Sequence, residues 1–593
     1  MPSPASSSRK PQDAAAYAVP AFSNGYELAR GLGYELPEYP FVEPPELQTE
    51  GVRQVPIIIV GAGITGLSMA CALACHGIES IVLDEDNTVG VKGAASRGIS
   101  YTQKSLEIFQ RLGIYQRIAQ RGVQWSVGRT FAGADEVHSF DLRQQSSFSL
   151  SAQPPFINIQ QFYIEGYLVE RIQQLGRTEL RWKNRLTGFE QGEGQATLTV
   201  STPAGNYRIS ASHVIDATGS VSPLRKWLAV PFKTKRGDDR WCIADVRFSE
   251  HPPVERHTWI EAPFNENRAV WQHLMADEVW RIDYQMAPDS DPAQVSSLAQ
   301  VRERLRRQFG PEVRVDIVWV GPYAYRSECV DAMRCGRVFF MGDSAKIVSP
   351  FGARGGNTGV SDADNLAWKL AAVLKGFAPP RLLETYHQER HQAATENVRV
   401  TNRTARYLRA PEGAERVFRN ATIALAKRYP FARPLINTGR MAVANSYSRS
   451  GICSPQAGTS VQNASLSWAN ADPAVLNDLV AWCAGRLLLL TFGGLSRAGA
   501  KRLQRLSMTA PVRVVQVIEP GQQPSAREHV VDIHGNLAGA CCLPGRDGWA
   551  LLRPDAYLAA LGKRIDGALV SAVQQALAIE NLSVNDSGRR ELR

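Results

Sequence analysis

The tightest constraint on this chain is one run near its start, VPIIIVGAGITGLSMACALACHGIESIVLDE, from Val55 to Glu85. An apolar stretch, a three-glycine turn, a helical stretch and a second apolar stretch predict a βαβ unit. The first stretch is apolar without alternation, as in a strand covered on both faces within a parallel sheet. In Gly61-Ala62-Gly63-Ile64-Thr65-Gly66 each glycine has its own task. Gly61 makes the tight turn, Gly63 lets backbone approach a pyrophosphate, and Gly66 packs the helix on the strand. Ile64 and Thr65 open that helix, where N–H groups without acceptors and the positive dipole end face the phosphates. Asp84 closes the second strand, where a carboxylate can accept from ribose hydroxyls. The turn predicts a dinucleotide site and leaves NAD and FAD both open.

A chain of 593 residues holds several domains. Residues 1–50, punctuated by Pro37, Pro40, Pro44 and Pro45, read as an extended N-terminal arm. Residues 51–410 mix strands and helices, with strand-like runs at LTGFEQ, ATLTVS, WCIADVRF and WRIDYQM. Residues 411–465, broken by Pro430, Pro434 and Gly439, read as a helical connector. A second α/β pattern follows over residues 466–593. No apolar run approaches the roughly 18 residues of a membrane span, and no signal peptide is visible at the N-terminus. Nine scattered cysteines without a CxxC or zinc-ligand spacing are read as reduced thiols in a cytoplasmic protein. The net charge of +10 is spread along the chain and is not interleaved with aromatics. It fits an anionic cofactor, or an anionic substrate with it, better than a nucleic acid.

The segment GRVFFMGDSAKIVSPFGARGGNTGVSDADNLAWKL, residues 336–370, chooses between the dinucleotides. A strand ends in Gly342-Asp343, and a proline-glycine loop then leads into a helix. Here the sequence resembles the single-component flavin aromatic hydroxylases, the group of para-hydroxybenzoate and phenol hydroxylases. Their pattern is GD followed by P-x-G-x-x-G-x-N, matched by Gly342-Asp343 and by Pro350, Gly352, Gly355, Gly356 and Asn357. The resemblance implies that Asp343 holds the ribityl chain of FAD and that the loop lies along the isoalloxazine. Small residues there let N–H groups reach the flavin N1–C2=O edge and stabilise charge placed on the ring by reduction. Arg97 and Gln161 fall on flavin-contacting positions of that family, and Leu186 falls where the backbone holds adenine.

The implied fold is a Rossmann-type FAD-binding domain with an interleaved β-sheet substrate domain, contributed by about 150–160 and 230–325. The helical connector follows, and then a C-terminal α/β domain resembling the thioredoxin-like tail of phenol hydroxylase. A redox role for that tail is not expected without a CxxC, and adjacent Cys541-Cys542 cannot easily form an unstrained disulfide. A structural or dimer-contacting role is expected instead, and a homodimer is one option. The implied activity is hydroxylation of a phenolic or related aromatic substrate with O2 and NAD(P)H through a flavin C4a-hydroperoxide.

On this reading Arg281 stands at the flavin–substrate boundary. Asp283 falls where phenol hydroxylase has a substrate-contacting tyrosine, so it is either a base for the phenol proton or an ion-pair partner of Arg281. The carbonyl of Pro350 is a second acceptor for the substrate hydroxyl, and His273 and Tyr101 are further pocket candidates. Two positions depart from the family pattern. Thr218-Gly219 replaces the usual Asp-Gly pair, with Asp216 two residues upstream, and Lys346 stands where histidine is usual. Lys346 is expected to be a solvated charge. The threonine leaves open an FAD-dependent dehydrogenase or reductase without oxygen insertion, and a non-catalytic flavin-binding protein is a separate alternative that the complete isoalloxazine loop argues against.

Overall fold

In the computed structural model the described residues are 36–90, 98–250, 252–409, 413–436, 441–469, 471–543 and 547–580, without the side chains of 235–239 and 471–473. Strand Arg53–Val60 sits inside a parallel sheet, paired on one side with Gly205–Asp216 and on the other with Ser80–Leu83. Its last four residues are all buried, as the unalternating apolar run requires. Between the first two strands runs helix α1, Ile64–Cys75. Strand Val338–Phe340 adds to the Gly205–Asp216 edge, so the two glycine motifs of the sequence end up in one sheet. Helix α2, Gln161–Leu175, and helix α3, Gly355–Leu374, pack beside α1.

A second, eight-stranded sheet stands over this layer. It contains Val127–Ala132, Arg256–Ala262, Arg268–Leu274, Val279–Gln285, Phe232–Phe248 and Val315–Val330. One of its faces, with Trp280, Ile282 and Tyr284, forms its own core against helix Leu298–Phe309. The other face carries Trp241, Trp271 and Tyr325, which pack with Phe351 of the loop between the glycine motifs and with Leu408 of helix α4, Glu384–Leu408.

The connector is helical only in its first part, α5 from Gly413 to Arg428 and a 3-10 stretch at Pro430–Leu435. Residues 441–464 run without helix or strand and bury Tyr447, Ile452 and Cys453. The C-terminal unit opens with strand Ser465–Trp468. Its sheet has three parallel strands, Leu487–Phe492, Val512–Ile518 and His529–Val531, with an antiparallel hairpin of Gly548–Leu552 and Leu558–Gly562 on the other side. Its cysteines, Cys483, Cys541 and Cys542, are free thiols. No helix among the described residues is long and apolar enough to cross a membrane.

The described end of the N-terminal arm is fastened down. Glu46 is buried and bridges to buried Arg181 at 3.0 Å, and Tyr39 stacks on Trp182. The C-terminal unit is bolted to α3 and α4 by charge. Arg553 donates to both oxygens of Glu389, at 2.6 and 3.0 Å, and Lys369 donates to the same carboxylate at 2.7 Å. Asp555 also pairs with Arg553, and its carbonyl accepts from Lys104. All the side chains of this cluster are out of solvent. Arg553 and Lys369 hold the Glu389 carboxyl far below the usual carboxylate range despite its burial.

Removing one partner of a buried ion pair leaves the other charge uncompensated, at about 3–5 kcal/mol. Glu389→Gln is therefore expected to lower the denaturant midpoint and to expose the 441–464 segment to protease. An unchanged midpoint and unchanged cleavage would contradict this role.

Candidate active site

The three glycines of the first turn separate into two kinds. At Gly61 (φ +105°) an added Cβ would stand 2.4 Å from the Ala217 carbonyl oxygen, and at Gly66 it would stand 1.9 Å from the Gly61 carbonyl oxygen. Protein packing demands both. At Gly63 the nearest atom to such a Cβ is Glu165 Oε1, 3.9 Å away. The same openness recurs at Gly355, with nothing within 4 Å, and at Gly356, where only Gln161 Oε1 comes near, at 3.8 Å. Gly63, Gly355 and Gly356 thus present bare backbone to one cleft.

Helices α1 and α3 both begin at that cleft, and neither has a side-chain cap. Their first N–H groups therefore lack intrahelical acceptors and point positive ends into the site. The helices approach each other at Thr65. Gly342 (φ +59°) and Gly359 would carry Cβ atoms 2.6 and 2.2 Å from its Oγ1. The Thr65 side chain is a packing element, and its N–H is what it can offer a ligand. Gly359 was not marked in the sequence reading, although a small residue at the fourth position after Gly355 on α3 was the available signal.

Ile64 N–H donates to Glu165 Oε1 at 2.8 Å. The same buried carboxylate accepts from Gly90 N at 2.6 Å and from Gln161 Nε2 at 2.8 Å, and burial pushes its carboxyl up to about 7. Glu165 was also missed, though it lies one helical turn beyond Gln161 on the same face. Asp84 accepts from Ala62 N at 2.5 Å and Asp86 N at 2.8 Å, and burial pushes it up to about 6. It braces the turn and keeps further lone pairs for hydroxyl donors. Leu186 is buried in strand Arg185–Gln191, its backbone in register with Val200. Arg97 lies outside the described residues.

At the second motif the Asp343 side chain is exposed, and Gly342 N–H donates to Asp362 Oδ2 at 3.0 Å. Lys346 corrects an expectation. It is buried, not solvated, and its Nζ pairs with Asp362, whose other oxygen accepts from Arg390 Nε at 2.6 Å. Burial alone would push Asp362 up, but Lys346 and Arg390 hold it below the usual carboxylate range. The departure at Thr218 has a local explanation. Asp216 is buried and accepts from Thr218 N at 3.1 Å, Thr218 Oγ1 at 2.6 Å and Ser222 Oγ. Threonine and aspartate together organise this turn, and the Asp216 carboxylate faces inward instead of standing in for the missing one.

The loop between the motifs is tightly folded. The Pro350 carbonyl accepts from Ala353 N at 3.1 Å and keeps one lone pair. Asn357 donates to the carbonyls of Ser100 and Ala353, both at 2.8 Å, and accepts from Thr102 N, so its side chain is committed and its N–H remains. Phe351 packs edge-on to Trp271, with ring centroids 4.9 Å apart, and edge-on to Tyr325 at 5.7 Å. The flavin-type loop therefore rests directly on the inner face of the second sheet. On that face Arg281 Nε donates to Asp283 Oδ1 at 2.8 Å, both residues are buried, and burial pushes Asp283 up. Two further buried atoms, Tyr101 Oη and His273 Nδ1, have no hydrogen-bond partner among the described residues.

Bare glycine backbone, two uncapped helix ends and an orphaned phenol bordering one cleft fit FAD, whose pyrophosphate and pyrimidine edge both seek N–H donors. The family model of the FAD binding domain matches residues 54–401, more than half of the chain. The chain belongs to this family. This flavoprotein is 31% identical over 345 residues to a flavin-dependent monooxygenase of Mycobacteroides abscessus, covering 57% of this chain and 71% of that protein. It is 29% identical over 365 residues to rifampicin monooxygenase of Streptomyces venezuelae, covering 61% and 74%. A 3-(3-hydroxy-phenyl)propionate/3-hydroxycinnamic acid hydroxylase of Mycolicibacterium gilvum is 26% identical over 377 residues, 63% of this chain and 64% of that one. Among solved structures, the flavin-dependent monooxygenase PieE, in complex with FAD and substrate, shares the fold at a TM-score of 0.74 with 22% identity, over 88% of this chain and 99% of that one. The flavoprotein is an enzyme of the flavin-dependent monooxygenase group.

The two kinds of glycine predict two phenotypes. Gly63→Ala is expected to fold normally by circular dichroism and to bind FAD at least about tenfold more weakly, or about 1.4 kcal/mol. Gly66→Ala is expected to lose soluble, folded protein. Equal FAD affinity in Gly63→Ala and wild type would contradict the assignment.

Proposed function

We propose that this flavoprotein hydroxylates a phenolic or related aromatic ring with O2 and NAD(P)H. The observation that carries the reading is the seating of Phe351, in the loop before α3, on the aromatic inner face that also holds Arg281 and Asp283. FAD, when bound, supplies the exchange of electrons with NAD(P)H and the activation of O2. The chain supplies the rest. N–H groups at Gly63 and Thr65 would hold the pyrophosphate, beside the Ile64 N–H that Glu165 already takes, with Asp84 at the ribose and Asp343 at the ribityl chain. N–H groups at Gly355, Gly356 and Asn357 would stabilise charge on the pyrimidine edge, with Gln161 at the side of the ring.

Asp283 is the base of this reading. Arg281 fixes one of its oxygens, and no donor among the described residues reaches Oδ2. That oxygen can accept the phenol proton, which raises electron density on the ring carbon to be attacked. The remaining lone pair of the Pro350 carbonyl offers a second place for the hydroxyl. Aromatic walls around Phe351 exclude water from the reacting atoms.

The test is NAD(P)H oxidation by the purified enzyme over a panel of phenols under ¹⁸O₂, with oxygen uptake and product mass recorded. The expected product gains one labelled oxygen atom, and Asp283→Asn loses about 10²–10⁴-fold in kcat while keeping its FAD. Turnover without oxygen insertion would overturn the reading in favour of a dehydrogenase. Absence of any substrate-stimulated NAD(P)H use would favour a non-catalytic flavin protein.

A further inference from the structure

The register of the second sheet sorts its inner face into rows. His273 pairs with Arg281, and Arg281 with Asp245; Arg256 lies one step beyond the His257–Gln272 pair, opposite His273. The next row runs Thr258, Trp271, Asp283 and Ile243. Residues two apart on a strand share a face, so Arg256, His273 and Arg281 stand on the side of Trp271, the side that meets Phe351.

Arg256 is only 4% exposed, and its guanidinium lies over the Trp271 ring, 5.3 Å from the centroid. No hydrogen bond or ion pair joins it to any other group among the described residues. Arg390 and Arg553, the arginines buried more deeply among the described residues, are both matched, with Asp362 and Glu389. The carboxylate that Arg256 senses is Asp283, which is already bonded to Arg281. Arg281 in turn feels both Asp283 and Asp245, so the two arginines and two carboxylates balance in charge, and Arg256 is the guanidinium among them that no acceptor bonds directly. Burial pulls Arg256 down to about 10, and burial beside Arg256 and Arg281 keeps His273 neutral. A buried guanidinium without a hydrogen-bond acceptor is costly enough that folds seldom keep one without a use.

We propose that Arg256 takes a carboxylate of the substrate, so that the preferred substrate is an aromatic acid with its acid group on Arg256 and its phenol toward Asp283. Guanidinium and carboxylate match in a fork geometry, and the Trp271 ring beneath keeps the guanidinium flat. His273 Nδ1, buried and unpartnered, is positioned to add a further hydrogen bond to the acid group. This assignment rests on the hydroxylase reading for the placement of the ring.

The experiment titrates the FAD-loaded enzyme, followed by flavin absorbance, with a hydroxyphenylalkanoic acid and with its methyl ester, which keeps the phenol and lacks the charge. The acid is expected to bind at least about tenfold more tightly than the ester. In Arg256→Met that preference disappears while ester binding and FAD content stay as in wild type, and Arg256→Lys restores part of it. In turnover, the KM for the acid rises in Arg256→Met with a smaller change in kcat. Equal binding of acid and ester by wild type, an unchanged preference in Arg256→Met, or binding of neither compound would overturn the proposal. Binding is read without turnover, so an acid preference without oxygen insertion sinks the hydroxylase reading and leaves this assignment standing. Equal hydroxylation of acid and ester does the reverse.

Discussion

The buried carboxylate of Asp362 is the constraint on which the site depends. It receives Lys346 and Arg390 on its two oxygens and accepts the Gly342 N–H as well. Gly342 then stands against Thr65, so the position of this one carboxylate sets the second flavin motif against the start of α1. Arg390 also reaches Tyr447 at 2.8 Å, and its chain neighbour Glu389 holds Arg553. Two adjacent residues of α4 thus reach in opposite directions, one toward the flavin turn and one toward the C-terminal unit. Charges so deeply buried are tolerable only when fully paired, and these are paired on every side. The C-terminal unit is therefore tied through α4 to the scaffold of the site.

The parts of the site that were legible in the sequence are those where backbone does the work. A strand, a glycine turn and a helix have a period and a punctuation, and the structure follows them at Arg53–Val60 and Ile64–Cys75. The second α/β pattern was legible for the same reason, down to the strand Leu487–Phe492 and the helix Arg497–Thr509. The side-chain network was not legible. Lys346 reads as a surface charge because nothing local says that Asp362, sixteen residues on, will be buried beside it. Glu165, Gly359 and Arg256 lie on elements whose patterns are ordinary, and their roles come from partners far along the chain. Arg97, which the family pattern marks for the flavin, lies outside the described residues.

The division of labour in the site follows from this construction. Glycines and uncapped helix ends offer donors that cost no reorganisation when a ligand arrives, which is why they suit a cofactor carrying fixed negative charge. The second sheet offers charge and aromatic surface on its inner face. Thr218 fits that division as well. Its hydroxyl belongs to a turn closed by Asp216 and Ser222, at the end of the strand that pairs with Arg53–Val60 and away from the second sheet.

The most direct measurement of the central claim is the FAD dissociation constant of Asp362→Asn, by flavin fluorescence on the reconstituted apoprotein. Asparagine keeps an acceptor for Gly342 N–H but leaves Lys346 and Arg390 without their counter-charge. The account predicts FAD binding weakened by at least about tenfold, with secondary structure preserved by circular dichroism. FAD bound as tightly as by wild type would show that the ion cluster does not set the flavin turn.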